Sequence, residues 1–149
     1  MSRVGVSART GATIYVFADD HCPPHVHARH RGEGWTARVG FSFVTNDVVL
    51  ISITPLRNAP LPRVIGELLE DVRNELPACR RTWWAMQRSA CLANRWALKQ
   101  KRPVAVLRER RAGAVQIEDA RYDPESGRLR ILFQDDTALV IEGGSGREP

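Results

Sequence analysis

The segment from Thr13 to His27 reads Thr-Ile-Tyr-Val-Phe-Ala-Asp-Asp-His-Cys-Pro-Pro-His-Val-His. Its first six residues are rich in β-branched and aromatic side chains and predict a strand. The two prolines break this strand, because proline donates no backbone hydrogen bond and biases its predecessor toward extended geometry. The residues after the prolines, up to Arg29, read as a second extended segment. Two strands joined by a proline bend predict the beginning of a sheet.

Residues 35–39 and 48–53 are further strand candidates, so we expect an N-terminal sheet of three or four strands. The prolines at 60 and 62 then suit the first turn of a helix. Apolar residues recur at helical spacing after that point, and Pro77 can begin a second helix that runs on past residue 90. On that second helix Trp83 is expected in the core and Trp84 nearer the solvent. The apolar stripe of the first helix consists of Leu61, Ile65, Leu68, Val72 and Leu76.

The last third of the chain alternates in strand fashion. Residues 114–122, 128–133 and 138–141 are separated by turn sequences and predict a three-stranded meander. Residues 99–113 read as a basic connector with one short apolar run. The fold class predicted is therefore α+β, a small antiparallel sheet with two helices followed by a short β-meander. The predicted division is 1–98 for the histidine-containing domain, 99–113 for the connector and 114–149 for the meander and a loose tail.

The charge is distributed unevenly along the chain. Residues 1–72 carry 7 basic and 7 acidic residues, residues 73–111 carry 11 and 2 (net +9), and residues 112–149 carry 4 and 8 (net −4). Such asymmetry indicates an anionic partner for the middle segment, and nucleic acid is one such partner. The alternative is that the acidic segment packs on the basic one within the same chain.

Composition limits the classes of protein. No stretch reaches the roughly 18 apolar residues of a membrane span, and the N-terminus lacks an apolar signal core. The three cysteines form no Cys-x-x-Cys pair, which argues for reduced thiols rather than a disulfide framework. We therefore expect a cytoplasmic protein that does not contact a membrane.

Three of the four histidines lie in the segment His21 to His27. Residues two apart on an extended chain project from the same face, so His25 and His27 can present neighbouring imidazoles, and the proline bend can bring His21 toward them. Imidazole binds divalent transition metals, zinc first among them here, and Asp20 or its neighbour Asp19 can add an oxygen ligand. The alternatives are histidines that only hydrogen-bond the backbone, and histidines that act as general acid and base without a metal.

The strand Ile14-Tyr-Val-Phe17 followed by Asp20-His-Cys-Pro-Pro-His-Val-His27 resembles the small prokaryotic family called domain of unknown function 4160 over residues 10–88. The resemblance implies a strand, a His-x-Pro-Pro-His-x-His motif, a short sheet and two helices. Residues 114–142 are similar to a second family, domain of unknown function 2442. Proteins of these two kinds are often encoded side by side and are suspected toxin–antitoxin partners, so the resemblance also implies a cognate partner protein.

Three functions remain open from the sequence. The first, which the charge pattern favours, is a toxin–antitoxin-like or regulatory protein that binds nucleic acid or a partner protein through a basic helix, with an aromatic side chain available to stack on a base. The second is a metal-dependent hydrolase, for which RNA is one candidate substrate, with Asp19, Asp20 or Glu33 as the base. The third is a protein–protein adaptor whose exposed strand edges recruit another chain, a second copy included. The residues expected to contact nucleic acid are Arg81, Trp84, Arg88, Arg95, Lys99, Lys101 and Arg102.

Overall fold

The computed structural model describes residues 1–149 and contains two α-helices and two antiparallel sheets of five strands each. The α+β class predicted from the sequence is confirmed, but there are more strands than the sequence indicated. The first sheet has the strand order β1-β2-β3-β4-β5, and the second has the order β10-β9-β8-β6-β7. The elements are β1 Ser2–Val6, β2 Thr13–Val16, β3 His25–His30, β4 Trp35–Gly40, β5 Val49–Thr54, a 3₁₀ turn Leu56–Asn58, α1 Pro62–Asn74, α2 Leu76–Gln87, β6 Trp96–Leu98, β7 Ala105–Leu107, β8 Val115–Tyr122, β9 Arg128–Phe133 and β10 Ala138–Glu142.

The chain divides into two compact units. The first unit comprises Met1–Phe41 and Asp47–Arg88, and the second comprises Ser42–Asn46 and Ser89–Pro149. This division differs from the one expected from the sequence. Residues 99–113 are not a simple connector, because they contain β7, which pairs with β6. The meander is not a separate appendix either, because β8 also pairs with β6 and so belongs to a five-stranded sheet.

The first sheet is amphipathic in the way that strand alternation requires. Val26 and Ala28 on β3 are fully buried, and their register partners Val39 and Ala37 on β4 are fully buried as well. Partners in register project from the same face of a sheet, so these four side chains form one apolar surface. The alternate residues of β3, which include His25 and His27, project from the opposite face. This alternation positions the candidate site.

The helices supply the rest of the core of the first unit. Helix α2 packs against β1 and β2, and α1 packs against α2. Leu68 and Val72 on α1 and Trp83 on α2 are fully buried. Trp84 is only half-buried, so the predicted difference between the two tryptophans is confirmed.

Helix α2 is shorter than predicted. It ends at Gln87, and Arg88 adopts a left-handed conformation with φ 52° while its amide donates to the carbonyl of Trp84. The left-handed residue at the end of a helix satisfies a terminal carbonyl and turns the chain away. Arg95 therefore does not lie on this helix, and the predicted basic helical stripe through Arg95 is wrong.

Two further features bear on the expectations from composition. Cys79 is a free, buried thiol, whereas Cys22 and Cys91 are in the disulfide form, so the expectation of three reduced cysteines is wrong for these two. Neither helix has both the length and the apolar character that crossing a membrane demands.

Candidate metal centre

Asp20, His25 and His27 form a compact cluster in the first unit. Each offers one ligand atom, and the three atoms lie within 4.8 Å of one another. Asp20 Oδ1 is 2.9 Å from His27 Nε2 and 3.3 Å from His25 Nε2. The side chains of Asp20, His25 and His27 are 9%, 9% and 12% exposed. Two imidazole nitrogens and one carboxylate oxygen in this arrangement could hold a divalent metal ion.

The local sequence explains how the three side chains meet. His25 and His27 are alternate residues of β3 and share a face, while Val26 between them points into the core. Asp20 lies in the bend between β2 and β3. Its Oδ2 accepts a hydrogen bond of 2.8 Å from the Phe17 amide, which fixes the carboxylate and leaves Oδ1 for the imidazoles.

The tautomer of His25 follows from its second nitrogen. Nδ1 lies 2.9 Å from the backbone carbonyl of Pro23, and a carbonyl oxygen can only accept, so Nδ1 carries a proton. In the neutral ring Nε2 then presents a lone pair toward Asp20 Oδ1. A backbone carbonyl that accepts from the far nitrogen is one of the usual partners that orient a metal-ligating histidine.

Aromatic side chains hold the two imidazoles from either side. The Phe17 ring makes an edge contact with His27 at 4.6 Å between centroids, and the Trp83 ring lies 5.4 Å from that of His25. Because Trp83 is fully buried on α2, it links the position of His25 to the core of the unit. The cluster is therefore supported by packing as well as by hydrogen bonds.

The charge state of Asp20 reflects opposing effects. Burial on its own raises the pKa of Asp20, but hydrogen bonds from the Phe17 amide and His27, together with the charges of His27 and His25, outweigh it and lower the pKa below its ordinary value. Asp20 is thus a carboxylate at neutral pH, which is the form that binds a metal.

The cluster opens into a pocket of about 700 Å³. Besides the three cluster residues, the pocket is lined by residues that include Phe17, Asp19, His21, Arg38 and Ile51. The ligand atoms therefore border a space that can admit a small molecule.

The structure brings together part of the predicted metal set. Asp20, His25 and His27 converge as expected. His21 is exposed and lines the pocket but lies outside the cluster, so its prediction as a ligand is not supported by the geometry. Glu33, one of the predicted bases, accepts a hydrogen bond from the Trp35 indole at the β3–β4 turn and does not line the pocket, whereas Asp19 does.

The residues expected to contact nucleic acid do not form one helical face. Arg81, Trp84 and Arg88 belong to the first unit, at α2 and its end. Lys99 in the second unit is already engaged, since its Nζ lies 3.0 Å from Asp135 Oδ2 and 2.7 Å from Thr137 Oγ1. The alternative in which acidic residues pair with the basic segment therefore holds for Lys99. Arg95, Lys101 and Arg102 also lie in the second unit, with Arg95 half-buried and the other two exposed.

Sequence reasoning missed Arg38 and Ile51 as residues of the pocket. Arg38 is the register partner of His27 on β4, and Ile51 lies where the β4–β5 pairing shifts register. Neither residue stands near the histidine motif in the sequence. Only the pairing of the strands brings them to it.

No family model, curated protein or solved structure matches the chain.

Proposed function

We propose that the chain is a metal-dependent hydrolase whose ion is held by Asp20, His25 and His27. The observation that carries this proposal is the convergence of one carboxylate oxygen and two imidazole nitrogens, which lie within 4.8 Å of one another. His25 Nε2 faces Asp20 Oδ1 at 3.3 Å while the Pro23 carbonyl accepts a hydrogen bond from Nδ1. A divalent ion would bind all three ligand atoms at once.

Zinc is the ion we propose. Catalytic zinc is held by three protein ligands, often two imidazoles and a carboxylate, with a fourth position open to water. Held by these residues, zinc would lower the pKa of a coordinated water to about 7 and so would supply a nucleophile at neutral pH. The same ligand set also suits ferrous iron, so the metal found in the purified protein distinguishes hydrolysis from oxygen chemistry.

The protein's own residues complete the chemistry. Asp19 lines the pocket, is exposed and can accept a proton from an attacking water. Phe17 and Ile51 place apolar side chains in the pocket beside the ligand atoms. The Phe17 amide holds Asp20, the Pro23 carbonyl and the Trp83 ring hold His25, and the Phe17 ring packs on His27.

The test is elemental analysis of the untagged protein purified without chelator, beside His25→Ala and the matched control His21→Ala. His21 lines the same pocket but lies outside the cluster. We expect about one zinc per chain in the wild type and in His21→Ala, and little or none in His25→Ala. Loss of metal from both variants, or from neither, contradicts the assignment of ligands.

A second candidate function, polyanion binding, is favoured by a separate observation in the second unit. Lys101, Arg102, Arg108, Arg110 and Arg111 are all exposed. Phosphates neutralised by such side chains release counterions, which makes binding depend on salt.

We propose single-stranded RNA as the polyanion, because Arg110 lies 5.7 Å over the ring of Trp96 and an aromatic beside an arginine suits a stacked base. Anisotropy of a labelled RNA should show affinity that falls steeply with salt, with a log–log slope that decreases by about 0.7 for each contacting basic residue removed. Arg81→Ala in the first unit is the control and should leave the slope unchanged. Binding that does not respond to salt contradicts this function.

The toxin–antitoxin-like role with a cognate partner protein, the adaptor role and the homodimer remain proposals, and so does cytoplasmic localisation. Their support is the resemblance to the two families and the exposed edge strand β5, on which Val49 and Ile51 are solvent-accessible. Sedimentation analysis of the purified chain measures the oligomeric state directly.

A further inference from the structure

Arg38 lies beside the candidate metal centre, and its guanidinium forms no ion pair. It is the register partner of His27 across β3 and β4, so the two side chains project from the same face, and Arg38 lines the same pocket. Arg38 is exposed, and its side chain makes no hydrogen bond or ion pair within the chain. An arginine that lines a pocket without a carboxylate partner is available to bind a ligand.

The pocket wall beside Arg38 is shaped by an irregularity in the sheet. The pairing of β4 with β5 shifts register after Arg38, which leaves Ile51 without a register partner. Gly40, the register partner of His25, provides the space, since a Cβ at that position would come within 3.2 Å of the end of the Ile51 side chain. The result is a pocket in which one strand pair carries the guanidinium and the two histidine ligands, with the apolar side chain of Ile51 next to them.

The balance of charge in the pocket favours an anion once a metal is bound. A divalent ion and Arg38 together exceed the two carboxylates Asp19 and Asp20 by one positive charge. The planar guanidinium donates two parallel hydrogen bonds to an oxyanion, and a metal ion binds a further oxygen of the same group. Phosphate, with oxygens on all sides and up to two negative charges, can contact both at once, whereas a carboxylate has only two oxygens in one plane.

We propose that Arg38 binds the phosphate of the substrate and that the centre acts on phosphate esters. This inference rests on the proposed metal site and adds the substrate class to it. Arg38 is a substrate-binding residue, and the metal does not depend on it. Metal binding and phosphate binding can therefore be measured separately.

The experiment is calorimetric titration of inorganic phosphate into the zinc-loaded full-length protein, with zinc content measured on each sample. The variants are Arg38→Met, Arg38→Lys and the control Arg29→Met. Arg29 is an exposed arginine on the same face of β3, two residues beyond His27, and does not line the pocket. Its removal changes the net charge by the same amount as the removal of Arg38.

Charged hydrogen bonds of this kind contribute enough that Arg38→Met should weaken phosphate binding by about 10- to 100-fold, with zinc content unchanged. Arg38→Lys should lose part of this affinity, because it keeps the charge but not the planar pair of donors. Arg29→Met should bind phosphate as the wild type does. Retained zinc in Arg38→Met also shows that the variant is folded at the site.

Three results would overturn the inference. Equal phosphate affinity in the wild type and in Arg38→Met, or an equal loss in Arg29→Met, removes Arg38 from the site while the metal centre stands. Acetate binding as tightly as phosphate excludes phosphate esters as the preferred class. Absence of zinc from the wild type refutes the metal site itself, and this inference with it.

Discussion

Zinc should stabilise the wild-type protein against heat, and loss of one ligand should abolish most of that effect. Structural zinc sites with four ligands have apparent binding free energies of about 10–16 kcal/mol, or about 3 kcal/mol for each ligand. Removing one of the three ligands by His25→Ala or Asp20→Asn should therefore weaken zinc binding by about 100-fold. Because zinc binds the folded chain, the weaker affinity appears directly as lower stability in the presence of zinc.

The size of the effect follows from linkage. With free zinc buffered at 100 times the wild-type Kd, the wild type gains about 2.7 kcal/mol, whereas a variant that binds 100-fold more weakly gains about 0.4 kcal/mol. The difference of about 2.3 kcal/mol corresponds to about 5–9 °C in Tm for a chain of this size. Far-UV circular dichroism in a metal buffer measures Tm with zinc and with chelator.

The control for this prediction is His21→Ala, which should show the wild-type shift because His21 is not in the cluster. Two results refute the reasoning. The first is a wild-type Tm that zinc does not change, and the second is a zinc-dependent rise that is equal in the wild type and in His25→Ala. The second result would place the bound zinc elsewhere on the chain.

Three further predictions concern the first unit. Trp83→Ala should lower the free energy of unfolding by about 3–5 kcal/mol, because it leaves a cavity at a fully buried position. Trp84→Ala should lower it much less, because Trp84 is only half-buried, and denaturant titration measures both. In the same titration Asp71→Ala should lower the free energy of unfolding by about 2–3 kcal/mol, because the buried carboxylate accepts hydrogen bonds from the Ser7 hydroxyl at 2.6 Å and from the Arg9 amide at 3.0 Å. A decrease below about 0.5 kcal/mol contradicts this prediction. Burial, with a contribution from the charge of Glu75, raises the pKa of the Cys79 thiol from 9.0 to about 12, so Cys79 should resist a thiol reagent at pH 8 until the protein unfolds. The pKa of Cys79 is higher in the folded than in the unfolded chain, so the stability that the neutral thiol contributes is complete below pH 9 and is lost as the pH rises toward 12. In Cys79→Ala the free energy of unfolding should therefore fall less over this alkaline range.

The sequence contained enough information to place most elements of the first unit. Strands β2 to β5 and both helices were predictable, because β-branched runs, proline positions and the apolar spacing of α1 are local signals. Strand β1, Ser2–Val6, was missed because its glycine and polar residues give only a weak pattern. The end of α2 was missed for a related reason. Arg88 adopts the left-handed conformation that glycine usually adopts, so no residue type marks the stop.

The second unit was harder to predict because its organisation depends on distant pairing. Strands β6 and β7 have three residues each and lie within or beside the basic segment, where charge masks their pattern. Their role becomes clear only from the pairing of β6 with both β7 and β8, which joins the predicted meander into a larger sheet. Contacts between residues so far apart leave no periodic signal in a single sequence.

At the candidate site, too, the sequence predicts local geometry but not the pairing of residues that are distant in the chain. The spacing of His25 and His27 is enough to predict that they share a face, since a strand has a period of two. The choice of Asp20 over His21 as the third ligand depends on the bend, where the Phe17 amide fixes the carboxylate. The position of Arg38 beside the cluster depends on strand register alone, because a shift of one residue between β3 and β4 would place its side chain on the other face of the sheet. The histidine motif therefore specifies where a metal can bind, whereas the pairing of β3 with β4 specifies which charge stands beside that metal. If the proposed substrate class is right, the motif and the register together make this pocket a site for phosphate.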